Sequence, residues 1–299
     1  MNYHIPVMLK EAVDALNVVK NRLYVDATLG DGGYSLEILK RGGKVVGVDY
    51  DKESLQRATE RVAQEGLSEN FIGILGNFKH LTKLLGEQEI NAVNGIVYDL
   101  GYSSYQLDSG YKGLSFLKEG PLDMRLSEEV AVTALDLINF LSEKQLADLI
   151  REYSDERLAG RFARAIIEAR DLKKLQTTVQ LAQVLKSAAP SGYENGRIHP
   201  ATRTFQALRM VVNDEIGNLK LSLPQAAHSL LPGARLVVIS FQSKEDQLVK
   251  RFGQSAQPNI IGAPVTLKVV TKKPLMPSDE EVQSNPRARS AKMRVFEKC

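Results

Sequence analysis

One cysteine, Cys299 at the last position, is all that the 299-residue chain contains, which excludes internal disulfides and any cysteine-based metal site. Histidine is nearly as scarce: His4, His80, His199 and His228 stand far apart without ligand spacing, so no bound metal is expected. Nowhere does the apolar run of about 18 residues occur that a membrane-crossing helix needs. The opening residues, MNYHIPVMLK, lack both the apolar core of a secretion signal and the Arg-rich amphipathic pattern of a transit peptide. A cytoplasmic protein with no membrane association is expected. Charge of one sign is also missing in bulk, since the net charge is only +3. From Lys268 onward, however, eight Lys or Arg oppose four Asp or Glu, and Arg197, Arg203 and Arg209 bracket a loop and helix start. Such surfaces suit a phosphate backbone, or are ordinary solvated faces.

What is present is a core-forming composition, 43% apolar, enough for one ordinary domain with a sizeable insertion. The informative stretch is VDATLGDGGYS, Val25 to Ser35. A short apolar strand ends in Asp26, and Leu36, Ile38 and Leu39 then follow at helical spacing. Gly30, Gly32 and Gly33 lie between, where positive φ and close approach of a ligand to the backbone become accessible. A second strand, KVVGVDYD, brings Asp49 about 20 residues beyond the loop, where an acid accepts hydrogen bonds from ribose hydroxyls.

Nicotinamide dinucleotides and S-adenosyl-L-methionine compete for this arrangement. A dinucleotide needs G-x-G-x-x-G facing a pyrophosphate, whereas G-D-G-G places Asp31 there. Asp26 suits a ligand bearing ammonium and sulfonium groups, so S-adenosyl-L-methionine is favoured and a dehydrogenase is the weaker reading.

Along the chain, Leu9, Ala12, Val13 and Leu16 form a helix after Pro6, with His4 as a surface or capping residue. A helix from Asp51 through Glu65 and a strand near Phe71 to Leu75 follow. Phe78 comes next, either covering an adenine or packed in the core. The fourth strand, Gly95 to Leu100, delivers Asp99 and Tyr102 to the same sheet edge as the glycine loop. Strand–helix alternation then stops for about a hundred residues. A turn-rich stretch with Tyr105, Leu107, Tyr111, Leu114, Phe116 and Leu117 reads as a lid or substrate loop. Helices with capping boxes at Ser142/Gln145 and Thr177/Gln180 come after it. Between them Leu158, Phe162 and Ala165 make an apolar face, and Arg157, Arg161 and Arg164 a stripe that either grips phosphates or is solvated. Phe205, Leu208, Val212, Ile216 and Leu219 then predict a helix interrupted or ended by Pro224. The strand Arg235 to Phe241 meets a helix capped by Ser243 with Asp246 three residues on, and strands near Thr266–Thr271 and Lys292–Phe296 pair as an antiparallel edge.

The blocks HIPVM, DATLGDGGYS, GVDYD, DLGYSSYQLD, GPLDMR, HPATRTFQALR, SFQSKED and NPRARS resemble, over nearly the whole chain, those of the bacterial ribosomal RNA small-subunit methyltransferase H family. The resemblance implies a class I S-adenosylmethionine-dependent methyltransferase fold, Rossmann-like and mostly parallel, with an inserted helical RNA-recognition domain. The boundaries drawn are 1–105 and 200–299 for the methyltransferase domain and 106–199 for the insertion. It implies methylation of N4 of a cytidine in the decoding centre of 16S ribosomal RNA, within the small ribosomal subunit. It implies cofactor contacts at Gly32, Gly33, Tyr34, Asp49, Phe78, Asp99 and Gln106. Asp99 is assigned to help the base lose its proton and Tyr102 to stack on it. Asp123, Arg125, His199, Arg203, Arg287 and Arg289 fall in these blocks and are assigned to the RNA side, with surface salt bridging as the alternative for each. The family usually has His where this chain has Tyr34 and Gln242, and Arg-Gly-Phe where it has Lys112, Gly113 and Leu114. The chain remains open to a second class of reading, an RNA-binding or assembly factor that kept the fold and lost the chemistry, and to methylation of another RNA. Whether it forms a homodimer is also left open.

Overall fold

The computed structural model describes residues 3, 5–108, 110–254 and 265–299; His4 lies outside them. The chain divides into two compact units, Met1–Ser103 with Ile216–Cys299, and Ser104–Glu215. Both junctions differ from the expected boundaries, the second by a whole helix: Ala201–Val212 belongs with the insertion, because it packs on Glu143–Ser154.

The first unit is a seven-stranded sheet with β1 (Leu23–Asp26), β2 (Lys44–Asp49), β3 (Phe71–Leu75), β4 (Val93–Asp99), β5 (Leu230–Ser240), β6 (Leu267–Val269) and β7 (Lys292–Lys298). Their order is β3-β2-β1-β4-β5-β7-β6. The first five pair in parallel, whereas β7 runs antiparallel to both β5 and β6, as the edge pattern predicts. This is a mostly parallel α/β sheet, as expected. The central strands are near-continuous apolar runs because both faces are covered. On one face Val25, Val46, Ile96, Tyr98 and Val238 pack in a cluster with Leu81, Leu219 and Leu223. On the other, Tyr24, Val45, Val97 and Val237 pack with Val13, Leu16 and Ile38. Three short connections on this unit matter for the site: α1 (Leu9–Leu16), α2 (Gly33–Lys40) and α3 (Lys52–Gln64). Strand order reverses between β1 and β4, and the crevice beyond their carboxyl ends is where open α/β sheets bind ligands.

The second unit is helical, with α4 (Glu143–Ser154), α5 (Ala159–Leu172), α6 (Thr178–Ala188) and α7 (Ala201–Val212) as its longer helices. Both expected capping boxes form, at Ser142/Gln145 and Thr177/Gln180. The buried face of α5 is Ala159, Phe162, Ala163 and Ile166; of the expected Leu158–Phe162–Ala165 face Phe162 is buried, while Leu158 and Ala165 are half-buried. The turn-rich segment is packed rather than loose: Leu114, Leu122 and Met124 are buried. A Cβ on Gly113 would lie 1.7 Å from the Pro121 carbonyl.

Two further expectations shift. The helix from Phe205 to Leu219 is two helices, α7 and α8 (Glu215–Ser229), and Pro224 sits inside the second. The break falls at Asn213, whose amide donates to the Arg209 and Met124 carbonyls, followed by Asp214 at φ +47°. After β5, α9 (Ser243–Gln254) starts with Glu245, not Ser243, accepting the Phe241 and Gln242 amides, each at 3.0 Å. Asp246 is instead committed to Arg294 through two bonds of 2.6 and 3.1 Å. Among the described residues no helix is long and apolar enough to cross a membrane.

Candidate active site

The loop between β1 and α2 needs its three glycines for three different reasons. Gly30, at φ +51°, has no atom closer than 4.0 Å to where a Cβ would be, so it opens the backbone to an approaching ligand. Gly32, at φ +73°, would bring a Cβ within 3.0 Å of Ala58 on α3. Gly33 is filled from outside, since a Cβ there would lie 2.0 Å from the Pro6 ring. The expected positive φ is found at Gly30 and Gly32, while Gly33 lies in the helix that follows. Asp31 also departs from expectation. Its carboxylate is buried and turned onto α3, where Arg57 grips it at 2.8 and 3.1 Å. Its charge is neutralised there and no longer bears on the choice between a dinucleotide and an adenosyl ligand.

That choice rests instead on three carboxylates at the ends of β1, β2 and β4. Asp26 is fully buried; one oxygen accepts from the Ser35 amide at 3.2 Å and hydroxyl at 2.8 Å, while Oδ1 has no partner. Asp49 accepts from the Gly30 amide at 2.7 Å and the Asp51 amide at 2.8 Å, which fixes the carboxylate beside the open glycine. The backbone of Asp99 is pinned by its amide donating to Thr28 Oγ1 at 2.6 Å, and its buried Oδ1 has no partner. Desolvation raises all three, Asp26 to about 6, Asp49 to about 7 and Asp99 to about 8, against bonds from Ser35, from the Asp51 and Gly30 amides and from Tyr34. Neighbouring charge adds to the rise at Asp49 and Asp99. Buried acceptors left unmade are costly, so these strand ends favour a ligand that carries positive charge and hydroxyl donors; a pyrophosphate would add charge of the wrong sign. Among the described residues no metal-binding group of His, Cys, Asp or Glu occurs.

Residues 5–8 strap this loop from outside. The Tyr34 hydroxyl donates to the Val7 carbonyl, Pro6 covers Gly33, and the Met8 amide donates to Glu281 at 2.6 Å. Met8 is held at φ +52° as a result. Tyr34 therefore acts through its hydroxyl as a tether, with its own ionisation pushed far up by burial and by Asp99 and Asp26. Thr28, Ser35 and Glu281 were not singled out from sequence. Thr28 and Ser35 lie inside the block that was, while Glu281 sits in the acid-rich PSDEEVQ, 273 residues from its partner.

The other expected residues divide by location. Phe78 is half-buried and packs edge-on against Tyr98, centroids 5.7 Å apart at 84°. Tyr102 follows Gly101, at φ +136°, and is half-buried. Gln106 is buried and lies in the helical unit. In that unit Asp123 and Arg125 bond to each other at 2.7 and 2.9 Å, and the guanidinium holds the Asp123 carboxyl below the usual range. His199 stacks on Phe116, centroids 4.7 Å apart, and accepts the Ala201 amide at 3.2 Å. Arg203 pairs with Glu194 at 2.6 Å and with the buried Glu156 at 3.6 Å. Arg287 and Arg289, just before β7, are exposed.

A sequence model of the MraW methylase family matches residues 1–299. This chain belongs to the MraW methylase family. Its curated relatives carry the name ribosomal RNA small subunit methyltransferase H. One from Carboxydothermus hydrogenoformans is 44% identical over 99% of this chain and 97% of that protein. One from Deinococcus radiodurans is 45% identical over 99% of this chain and 90% of that protein. Among solved structures, a putative methyltransferase from Streptococcus mutans in complex with SAH matches at a TM-score of 0.48 and 12% identity, covering 99% of each chain.

Proposed function

We propose that this methylase transfers a methyl group from S-adenosyl-L-methionine to N4 of a cytidine in the decoding centre of 16S ribosomal RNA, acting on the small ribosomal subunit in the cytoplasm. The observation that carries the reading is the trio of strand-end carboxylates beside Gly30, Asp26 fully buried and Asp49 and Asp99 half-buried, with one oxygen of Asp26 and one of Asp99 unpartnered. The donor fits these residues: its ribose hydroxyls match Asp49, and its cationic groups match Asp26 and Asp99. When bound it supplies an electrophilic methyl group.

What the chain itself does is position and accept. Asp49, locked by the Gly30 and Asp51 amides, presents its remaining lone pairs in a fixed direction. Asp99 and the Leu100 and Gly101 carbonyls accept hydrogen bonds from the base's amino group, whose lone pair is delocalised into the ring until nitrogen becomes tetrahedral. Holding nitrogen and methyl carbon about 3 Å apart and in line supplies much of the acceleration. The target base must be unpaired or extruded to arrive there, and Tyr102 is the ring on which it stacks. Gln106, Asp123, Arg125, His199, Arg203, Arg287 and Arg289 remain assigned to the cofactor and RNA sides, as the resemblance implies.

Assembled small subunits, naked 16S RNA and free cytidine should be offered in parallel, with nucleoside mass spectrometry of the product. N4-methylcytidine at one position in the RNA is expected, with none on free cytidine. Methylation at another atom or of free cytidine would overturn the substrate assignment, and absence of cofactor binding would favour an assembly factor.

A further inference from the structure

Helices α5 and α6 of the helical unit flank an open groove of about 710 Å³. Its rim carries Arg161, Arg164, Lys173 and Lys174 against one acid, Glu168, and its floor includes Ala165, Ala169 and Val184. The groove exists because the buried face of α5 is Ala159, Phe162, Ala163 and Ile166, which turns the arginines outward, while alanine side chains are too short to fill the space toward α6. At one end Leu172 is 91% exposed. The contact of Arg164 with Glu143, 3.4 Å between exposed side chains, is of the weak, solvent-exchangeable kind. Nothing in the methyl-transfer chemistry uses these residues.

We propose that this groove holds a single-stranded segment of RNA, its phosphates on the four cations and its bases over the methyl-lined floor. The charge balance favours a polyanion, and the length is right. Arg161 to Leu172 spans about 17 Å of helix, the length of about five stacked nucleotides at roughly 3.4 Å each. With no aromatic ring in the lining, stacking contributes little and phosphate contacts dominate, so binding is steeply salt-dependent and tolerant of sequence. The groove thus grips RNA away from the modified base. This rests on RNA being the substrate class.

The test is binding of a ten-nucleotide unstructured RNA to the full chain across a salt series. R161E/R164E/K174E should weaken binding about ten-fold or more and reduce the slope of log K against log salt by about 2, whereas R161K/R164K/K174R should retain both. Ala169→Phe, which fills the floor and leaves every cation, should also weaken binding. Photocrosslinks from thiouridine-substituted RNA to the unaltered protein should map to 161–188. Unchanged affinity in the charge-reversed protein, tighter binding of a polyglutamate peptide than of RNA, or crosslinks confined to other segments would overturn the groove. Methyl transfer to ribosomal RNA that survives such a result would leave the proposed function standing. RNA binding without any methyl transfer would do the reverse.

Discussion

Gly30 and Gly33 look alike in the sequence and answer to different forces. A methyl at position 33 collides with Pro6, so Gly33→Ala should cost about 1–3 kcal/mol in stability, as overpacking does. At position 30 the methyl meets open space and the cost is that of a left-handed backbone, about 1–2 kcal/mol; the larger loss should fall on cofactor affinity. Denaturant unfolding and cofactor titration separate the two. Asp99 is the residue on which stability and activity conflict. Asp99→Asn removes the ionised form's desolvation cost, so at pH 8.5 the cofactor-free variant should melt about 3 °C or more above the wild type, while turnover falls by about 100-fold or more. Tyr102→Ala should lower turnover on RNA by about 10- to 100-fold, the worth of one stacked base, with cofactor affinity unchanged; equal turnover would remove the stacking role.

Elements were legible wherever local pattern settles them. The β1–loop–α2 turn, Asp49 at the end of β2, the two capping boxes and the antiparallel β6–β7 edge all follow from periodicity and cap chemistry within a few residues. Interactions across the chain were not legible. Whether Asp31 faces a ligand or α3 depends on Arg57, and the end of α7 depends on Asn213 reaching Met124. Which residues of α5 are buried depended on its packing against α4 and α6. The Asp31–Arg57 pair also predicts a cost at the element scale. Arg57→Ala would remove the bidentate partner of a buried carboxylate between the loop and α3, so a loss of about 3 kcal/mol is expected in equilibrium unfolding. Arg57→Lys, lacking the bidentate fork, should recover only part of it.

At the scale of the molecule, the three carboxylates link proton binding to stability. Their folded-state values, about 6, 7 and 8, lie above that of an ordinary aspartate. The folded chain therefore keeps protons that the unfolded chain has released, and the contribution is complete below about pH 4 and lost as pH rises through 6 to 8. Cofactor-free protein should lose stability between pH 5 and 8.5, and saturating S-adenosyl-L-methionine should flatten that decline. Cofactor binding near pH 7 should also release protons, measured as a dependence of calorimetric heat on buffer ionisation enthalpy; heats independent of buffer would contradict the linkage.

The bond from Met8 to Glu281 joins residues 273 positions apart, and β5, the neighbour of β4, comes only after the whole helical insertion. During synthesis the glycine turn and its neighbours Asp49 and Arg57 therefore leave the ribosome long before Glu281 is available to hold the segment that straps them from outside, so the strap can lock only after the insertion has been made.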